Sequence, residues 1–183
     1  MTSRADFNAE DWTAIVNAPF LAALRVVTAE HGGNMREARA IARTYASARA
    51  QDHDGLLGTI LSTPPALDPL SAPRSPEDVA RDAPVLLRHA IALLERTATE
   101  DELNTYKRFV YGLADAVARA HREGGFLGIG GAEVSEREQA VLDEIAAIFD
   151  ARQSPPDEPP AGVPIAGTSP QGAEGVAAAH PQP

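Results

Sequence analysis

The fold of this chain is decided by residues 99–152, TEDELNTYKRFVYGLADAVARAHREGGFLGIGGAEVSEREQAVLDEIAAIFDAR. Thr99 and Glu102 have the spacing of a capping box, a helix-start motif in which a hydroxyl and a carboxylate each accept a backbone N–H of the other residue. Ser135 and Glu138 repeat this motif. Apolar residues follow each box at helical spacing: Leu103, Tyr106, Val110, Leu113 and Val117, then Val141, Leu142, Ile145, Ile148 and Phe149. The stretch predicts two amphipathic helices joined by a glycine-rich loop.

Helix-start signals also occur upstream. Asn8 caps a predicted short helix, and Asn17-Ala-Pro19 is expected to end it and begin a second one, because proline fits the first turn of a helix but not its interior. Asp82-Ala-Pro84 predicts a second restart of the same kind. His31-Gly-Gly33 is expected to end the second helix, since glycine favours the left-handed conformation at helix ends.

Three further helices complete the predicted set. One covers about residues 35–50 with an inward face of Ala38, Ile41, Ala42 and Tyr45, and a short one covers residues 55–62. Another starts at Ser75-Pro76, a cap followed by proline at the first helical position. With strand signals nearly absent, the sequence predicts an all-α domain of six to eight helices.

The domain organisation follows from composition. We predict a compact helical domain over residues 1–152 and a disordered tail over residues 153–183. Residues 154–183 hold eight of the fifteen prolines and only three large aliphatic side chains, too few to offset the entropy of ordering the chain. A proline-rich linker at residues 63–74 separates two possible halves, 1–62 and 75–152. These halves share an order of helix signals, either as a repeat or because helix starts resemble one another for physical reasons alone.

Charge and cysteine content exclude several functions. The net charge of −10 disfavours binding to nucleic acid or to anionic membranes, and no apolar run is long enough to insert into a membrane. The chain has no cysteine, which excludes disulfides, thiolate catalysis and cysteine-ligated metals. The N-terminal residues lack the apolar stretch of a secretion signal, so we expect a cytoplasmic protein.

The glycine-rich loop, residues 123–134, has two interpretations. Its apolar residues Phe126, Leu127 and Ile129 either fold back onto the core or form an exposed knob that binds a protein partner. A phosphate-binding interpretation fails, because a helix precedes the loop and the loop has no lysine.

Carboxylates around this loop offer a candidate site for Ca²⁺ or another divalent cation. Their oxygens are suitable ligands for a hard cation, although capping and the helix dipole alone account for acids in a first turn and are the preferred interpretation. The candidate ligands are Glu123, Glu133, Glu136 and Glu138. No other cofactor is indicated. The five histidines show no ligand spacing and no nucleophile motif is present, so we do not expect an enzyme.

Two helix junctions resemble those of the tellurite-resistance TerB-like proteins, a family of small bacterial helical domains. The first is Val27-Thr-Ala-Glu-His-Gly32 followed by Arg36-Glu-Ala-Arg39. The second is Ala118-Arg-Ala-His-Arg-Glu-Gly124 followed by Val134-Ser-Glu-Arg-Glu138. Both are similar to the family's "helix, Ala-Ala-Asp-Gly, Ser-x-x-Glu, helix" pattern. The segment Gly125-Phe-Leu-Gly-Ile-Gly130 is similar to a variant in actinobacterial relatives.

The resemblance covers about two thirds of the chain and implies a non-catalytic role in the stress response, through an unknown protein partner. A metal-responsive role, as a divalent-cation sensor, is the alternative. The family's aspartate before glycine is His31 in the first junction and Glu123 in the second. Only the second junction therefore retains a carboxylate at that position.

Overall fold

The computed structural model describes residues 1–29, 35–51, 55–67, 72–122 and 134–151. Within these ranges the protein is all-helical, with no β-strand. A short 3₁₀ turn at Arg4–Asp6 precedes six α-helices, in agreement with the predicted number. They are α1 (Ala9–Val27), α2 (Met35–Ala50), α3 (Leu56–Ser62), α4 (Pro76–Thr97), α5 (Glu100–Arg122) and α6 (Glu136–Asp150).

The helix starts follow the predicted caps. The Ser75 hydroxyl accepts the backbone N–H of Asp78 at 3.1 Å, with Pro76 at the first helical position of α4. In the Thr99 box, the hydroxyl accepts the N–H of Glu102 at 3.3 Å, while the Glu102 carboxylate accepts the N–H of Thr99 at 3.0 Å. Both reciprocal bonds of the Ser135 box measure 3.2 Å. Each box satisfies backbone donors that a helix start would otherwise leave free.

Helix α5 forms the centre of the core. Four of the five residues of its predicted apolar stripe, Tyr106, Val110, Leu113 and Val117, are fully buried. The fifth, Leu103, is partly buried against the same core. The helix contacts α1, α2, α3, α4 and α6, while α1 packs most extensively against α4. Residues 1–153 form one compact unit around this core. The predicted tail, residues 153–183, lies outside the described residues, and the two-halves hypothesis stays a prediction.

Pro19 does not restart a helix as predicted; it lies inside the continuous helix α1. A proline in a helix interior leaves the carbonyl four residues earlier without its N–H donor. Here that carbonyl belongs to Ile15, and the buried hydroxyl of Tyr106 on α5 donates a 2.8 Å hydrogen bond to it. A tertiary hydrogen bond thus replaces the missing helical one, and α1 continues.

Pro84 also lies inside a continuous helix, α4, so the second predicted restart is wrong as well. The residue four positions earlier, Ala80, is exposed. Water can therefore reach this part of the helix surface, where it can satisfy a carbonyl that proline leaves free.

The inward face of α2 is rotated from its predicted position. Ile41 and Tyr45 are buried as expected, but Ala38 and Ala42 are exposed, and Glu37 and Ala48 are buried instead. Positions 37, 41, 45 and 48 lie on one side of a helix with 3.6 residues per turn. Ile41 and Tyr45, the large side chains, determine which face of α2 is buried. The small alanines Ala38 and Ala42 are apolar but do not determine it.

Candidate functional site

Residues 123–133 of the glycine-rich loop lie outside the described part of the chain. This applies to Phe126, Leu127 and Ile129, so the core and knob interpretations both stay open, and to the carboxylates Glu123 and Glu133. The His31-Gly-Gly33 helix stop also lies outside it.

The structure describes the other two candidate cation ligands, Glu136 and Glu138. Glu136 is exposed in the first turn of α6. Glu138 is only 1% exposed, and its carboxylate accepts the N–H of Ser135 in the capping box. No group of three or more histidine, aspartate or glutamate side chains suitable for a metal occurs among the described residues. Because half of the proposed ligand set lies outside them, the cation site stays a prediction.

The described residues form an interhelical groove with a volume of about 480 Å³ and a mostly apolar lining. It lies between α1, α4 and the proline-rich connection that precedes α4. Its apolar lining comes from all three segments and includes Leu21, Leu67, Pro73, Val85 and Leu86. We call this surface the α1–α4 groove.

Burial distinguishes the floor of the α1–α4 groove from its rim. Leu21 is buried and packs with Val79 and Ala83 in a small apolar cluster separate from the main core. Val85, in contrast, is 57% exposed and has no such packing. Concave, mostly apolar surfaces with a few polar groups are the usual form of binding sites, so the groove with Val85 at its edge is a candidate binding surface.

Asn17 holds the connection in place as one wall of the groove. Its side-chain amide donates to the carbonyl of Ala66 and accepts the N–H of Ala66, both at 2.9 Å. Asn17 is only 5% exposed, so both bonds are shielded from water. The Asn17 side chain therefore fastens Ala66, near the start of the connection, to α1.

The rim of the groove carries charged groups. Asp82 pairs with Arg81, whose Nε lies 2.7 Å from Oδ1. The hydrogen bond that Arg81 donates to the Asp82 carboxylate is the main reason that the pKa of the Arg81 guanidinium is raised. His89 Nε2 lies 3.8 Å from Asp11 Oδ1, linking α4 to α1 when the imidazole is protonated. An apolar centre with a polar rim can hold an apolar side chain and orient the chain that bears it.

The sequence held one signal for this groove. Val85 is apolar but falls outside the helical stripe of Leu87, Ala90, Ile91 and Leu94, all of which are buried. An apolar residue off the buried stripe of an amphipathic helix must face solvent or another molecule. The opposite wall, at Leu67 and Pro73, could not be placed without the fold.

No family model, no curated protein and no solved structure matches this chain. The described helices also lack any segment that combines the length and apolarity needed to cross a membrane. Within the described residues, the molecule is thus an all-helical protein with a preformed apolar groove.

Proposed function

We propose that this protein is a non-catalytic protein-interaction module that binds a short apolar segment of a partner protein in the α1–α4 groove. The observation that carries the proposal is the exposure of Val85 beside a groove whose apolar lining is already in place. Binding there removes apolar surface from water, and little of the groove has to be ordered first.

The charges favour a particular kind of partner. The chain has a net charge of −10, and the carboxylates of Asp82 and Asp11 lie at or beside the groove. A complementary field steers association and selects among partners. We therefore expect an apolar segment flanked by lysine or arginine.

The biological setting of this proposal comes from the resemblance to TerB-like proteins and from composition. It includes a bacterial stress response, tellurite resistance among its forms, and a cytoplasmic location. Peptide binding in the α1–α4 groove does not depend on this setting.

A peptide-display selection tests the proposal. Selection against the full chain should enrich peptides with an apolar centre and basic flanks. In an NMR titration, the selected peptide should shift the resonances of groove residues such as Leu67 and Val85. Val85→Glu should weaken binding at least tenfold, because a charge then enters the apolar contact.

Tyr111→Glu is the matched control, since Tyr111 is also an exposed apolar residue of the described chain but lies on α5. It should leave peptide binding unchanged. Peptides that bind equally well to the Val85→Glu variant would overturn the proposal.

A further inference from the structure

On a second surface, the outer face of α5, charged side chains flank an exposed tyrosine and a glycine. The exposed stripe contains Arg108, Tyr111, Gly112, Asp115 and Arg119, although Asp115 is partly covered by its 2.8 Å contact with Arg119. Tyr111 is 38% exposed and, with Val85 and Met1, belongs to the exposed large apolar side chains of the described residues. We call these five residues the α5 stripe.

Gly112 has no structural reason within the described chain to be glycine. It lies in the middle of a 23-residue helix, where glycine is less favourable than alanine. A Cβ atom added at Gly112 would meet nothing within 4 Å. Glycine in such a position allows another molecule to approach the helix backbone closely.

A groove begins at this glycine. It has a volume of about 650 Å³ and runs between α5 and α6. It is lined by Arg108, Tyr111 and Gly112 of the α5 stripe and by Asn104, Lys107, Phe149 and Asp150. Lys107 Nζ donates a 2.8 Å hydrogen bond to the carbonyl of Phe149, which fixes one wall. The groove thus offers room for a side chain that enters beside Gly112.

The α5 stripe is complementary to itself. In two antiparallel α5 helices related by a two-fold axis between positions 111 and 112, residue 108 faces residue 115 of the other copy. Arg108 then meets Asp115, at both ends of the contact. Tyr111 meets Gly112, so that each ring lies over the other copy's bare backbone. A two-fold interface requires such self-complementarity, because every contact occurs twice.

We propose that the α5 stripe is the contact surface of a symmetric dimer of this chain. Tyr111 of each copy enters the groove beside Gly112 of the other, and two Arg108–Asp115 pairs flank the axis. A single pair of crossing helices buries an area at the small end of specific interfaces. The dimer is therefore in equilibrium with the monomer.

Sedimentation equilibrium of the full chain tests this directly. The average mass should rise with concentration from 19.3 kDa towards twice that value. Arg108→Asp places two carboxylates opposite each other, and Asp115→Arg places two guanidinium groups opposite each other. Each variant alone should stay monomeric. An equimolar mixture should associate as a heterodimer, because the native Arg108–Asp115 pair then forms at one end of the contact and a pair with reversed charges forms at the other.

The Tyr111 ring and the space beside Gly112 are tested separately. Gly112→Leu fills the contact point, and Tyr111→Ala removes the ring, so each should abolish association. Both positions are exposed, and circular dichroism checks that the variants remain folded. Arg88→Asp is the matched charge control on an exposed position of α4 and should leave the dimer intact.

Any of three results would overturn the proposal. The first is a wild-type chain that stays monomeric at every concentration. The second is association that persists in Arg108→Asp. The third is a mixture of the two charge variants that fails to associate. Val85→Glu should leave the dimer unchanged, so failure of this proposal and failure of the peptide-binding proposal are distinguishable.

Discussion

Two buried tyrosines differ in what their hydroxyl groups do. Tyr106 donates to the Ile15 carbonyl, while the Tyr45 hydroxyl makes no hydrogen bond within the described part of the chain. Burial raises the pKa of both phenols, so both remain protonated at neutral pH. The Tyr45 ring is held instead by an edge-on contact with Phe109, with ring centroids 5.4 Å apart. The two hydroxyls therefore contribute differently to stability.

Replacing each tyrosine by phenylalanine measures this difference. Tyr106→Phe leaves the Ile15 carbonyl buried without a donor and should lower the free energy of unfolding by about 1–3 kcal/mol. Tyr45→Phe removes a hydroxyl that gains no bond, so it should be neutral or slightly stabilising. Urea titrations of the two variants provide the comparison, and equal losses would contradict it.

A double-mutant cycle with Pro19→Ala tests the mechanism. Alanine restores a backbone N–H at position 19, which can bond to the Ile15 carbonyl in the ordinary helical way. Tyr106→Phe should then cost clearly less in the Pro19→Ala background than in the wild type. Strictly additive effects would show that the hydroxyl does not substitute for the missing donor.

At the level of elements, the corner between α4 and α5 depends on one carboxylate. Glu102 accepts the N–H of Thr99, and its two oxygens also accept the N–H and the hydroxyl of Thr2, at 2.9 and 2.7 Å. Burial alone would raise the pKa of Glu102. The hydrogen bonds from Thr99 and Thr2 outweigh it and lower the pKa to about 2. The ionised carboxylate joins the start of the chain to the start of α5.

This pKa predicts an acid-sensitive contribution to stability. The folded value lies below the unfolded value of about 4.3. Glu102 therefore stabilises the fold above that pH, and the contribution disappears as the pH falls towards 2. Between pH 5 and pH 2.5, the urea midpoint of unfolding should fall less in Glu102→Gln than in the wild type. The remaining acid-dependent loss should come from the exposed Asp6 and the half-buried Asp78, whose pKa values are also lowered by hydrogen bonds. An unchanged slope in the variant would contradict this role.

The start of α6 provides a second test at this scale. Ser135→Ala removes the hydroxyl that accepts the N–H of Glu138, and should cost roughly 1 kcal/mol. Leu142→Asp should cost far more, because it places a charge at a position that is 2% exposed. Chemical denaturation of both variants provides the measurement. Small and equal effects would mean that the cap and the buried face contribute little.

Patterns of neighbouring residues predicted most of the helices. They failed for features that depend on residues far apart in the chain. The capping boxes and the buried apolar face of α5 follow from neighbours within one or two turns. The restart predicted at Pro19 is wrong because the missing donor is replaced by the Tyr106 hydroxyl, which lies 91 positions beyond the Ile15 carbonyl that it bonds. The α1–α4 groove was not predicted for the same reason. Its walls at Leu67 and Val85 meet only after folding.

On the scale of the whole molecule, composition predicts that residues 154–183 are dispensable for folding. Eight prolines and few large apolar side chains give this segment little to bury. Removing it should shift the thermal midpoint by no more than about a degree or two. Differential scanning calorimetry of the full chain and of residues 1–153 makes the comparison. A large drop would show that the segment packs on the helical unit.

The hydrogen bond from Tyr106 to Ile15 also bears on how the chain folds. An isolated peptide covering residues 8–28 has no access to that hydroxyl, so its helix should fray or break near Pro19. The unbroken rod seen as α1 then exists only after α5 has docked. Early in folding, this segment would consist of two short helical pieces hinged at the proline. Its full length is acquired from the assembled core, and hydrogen exchange around Ile15 should report that late step.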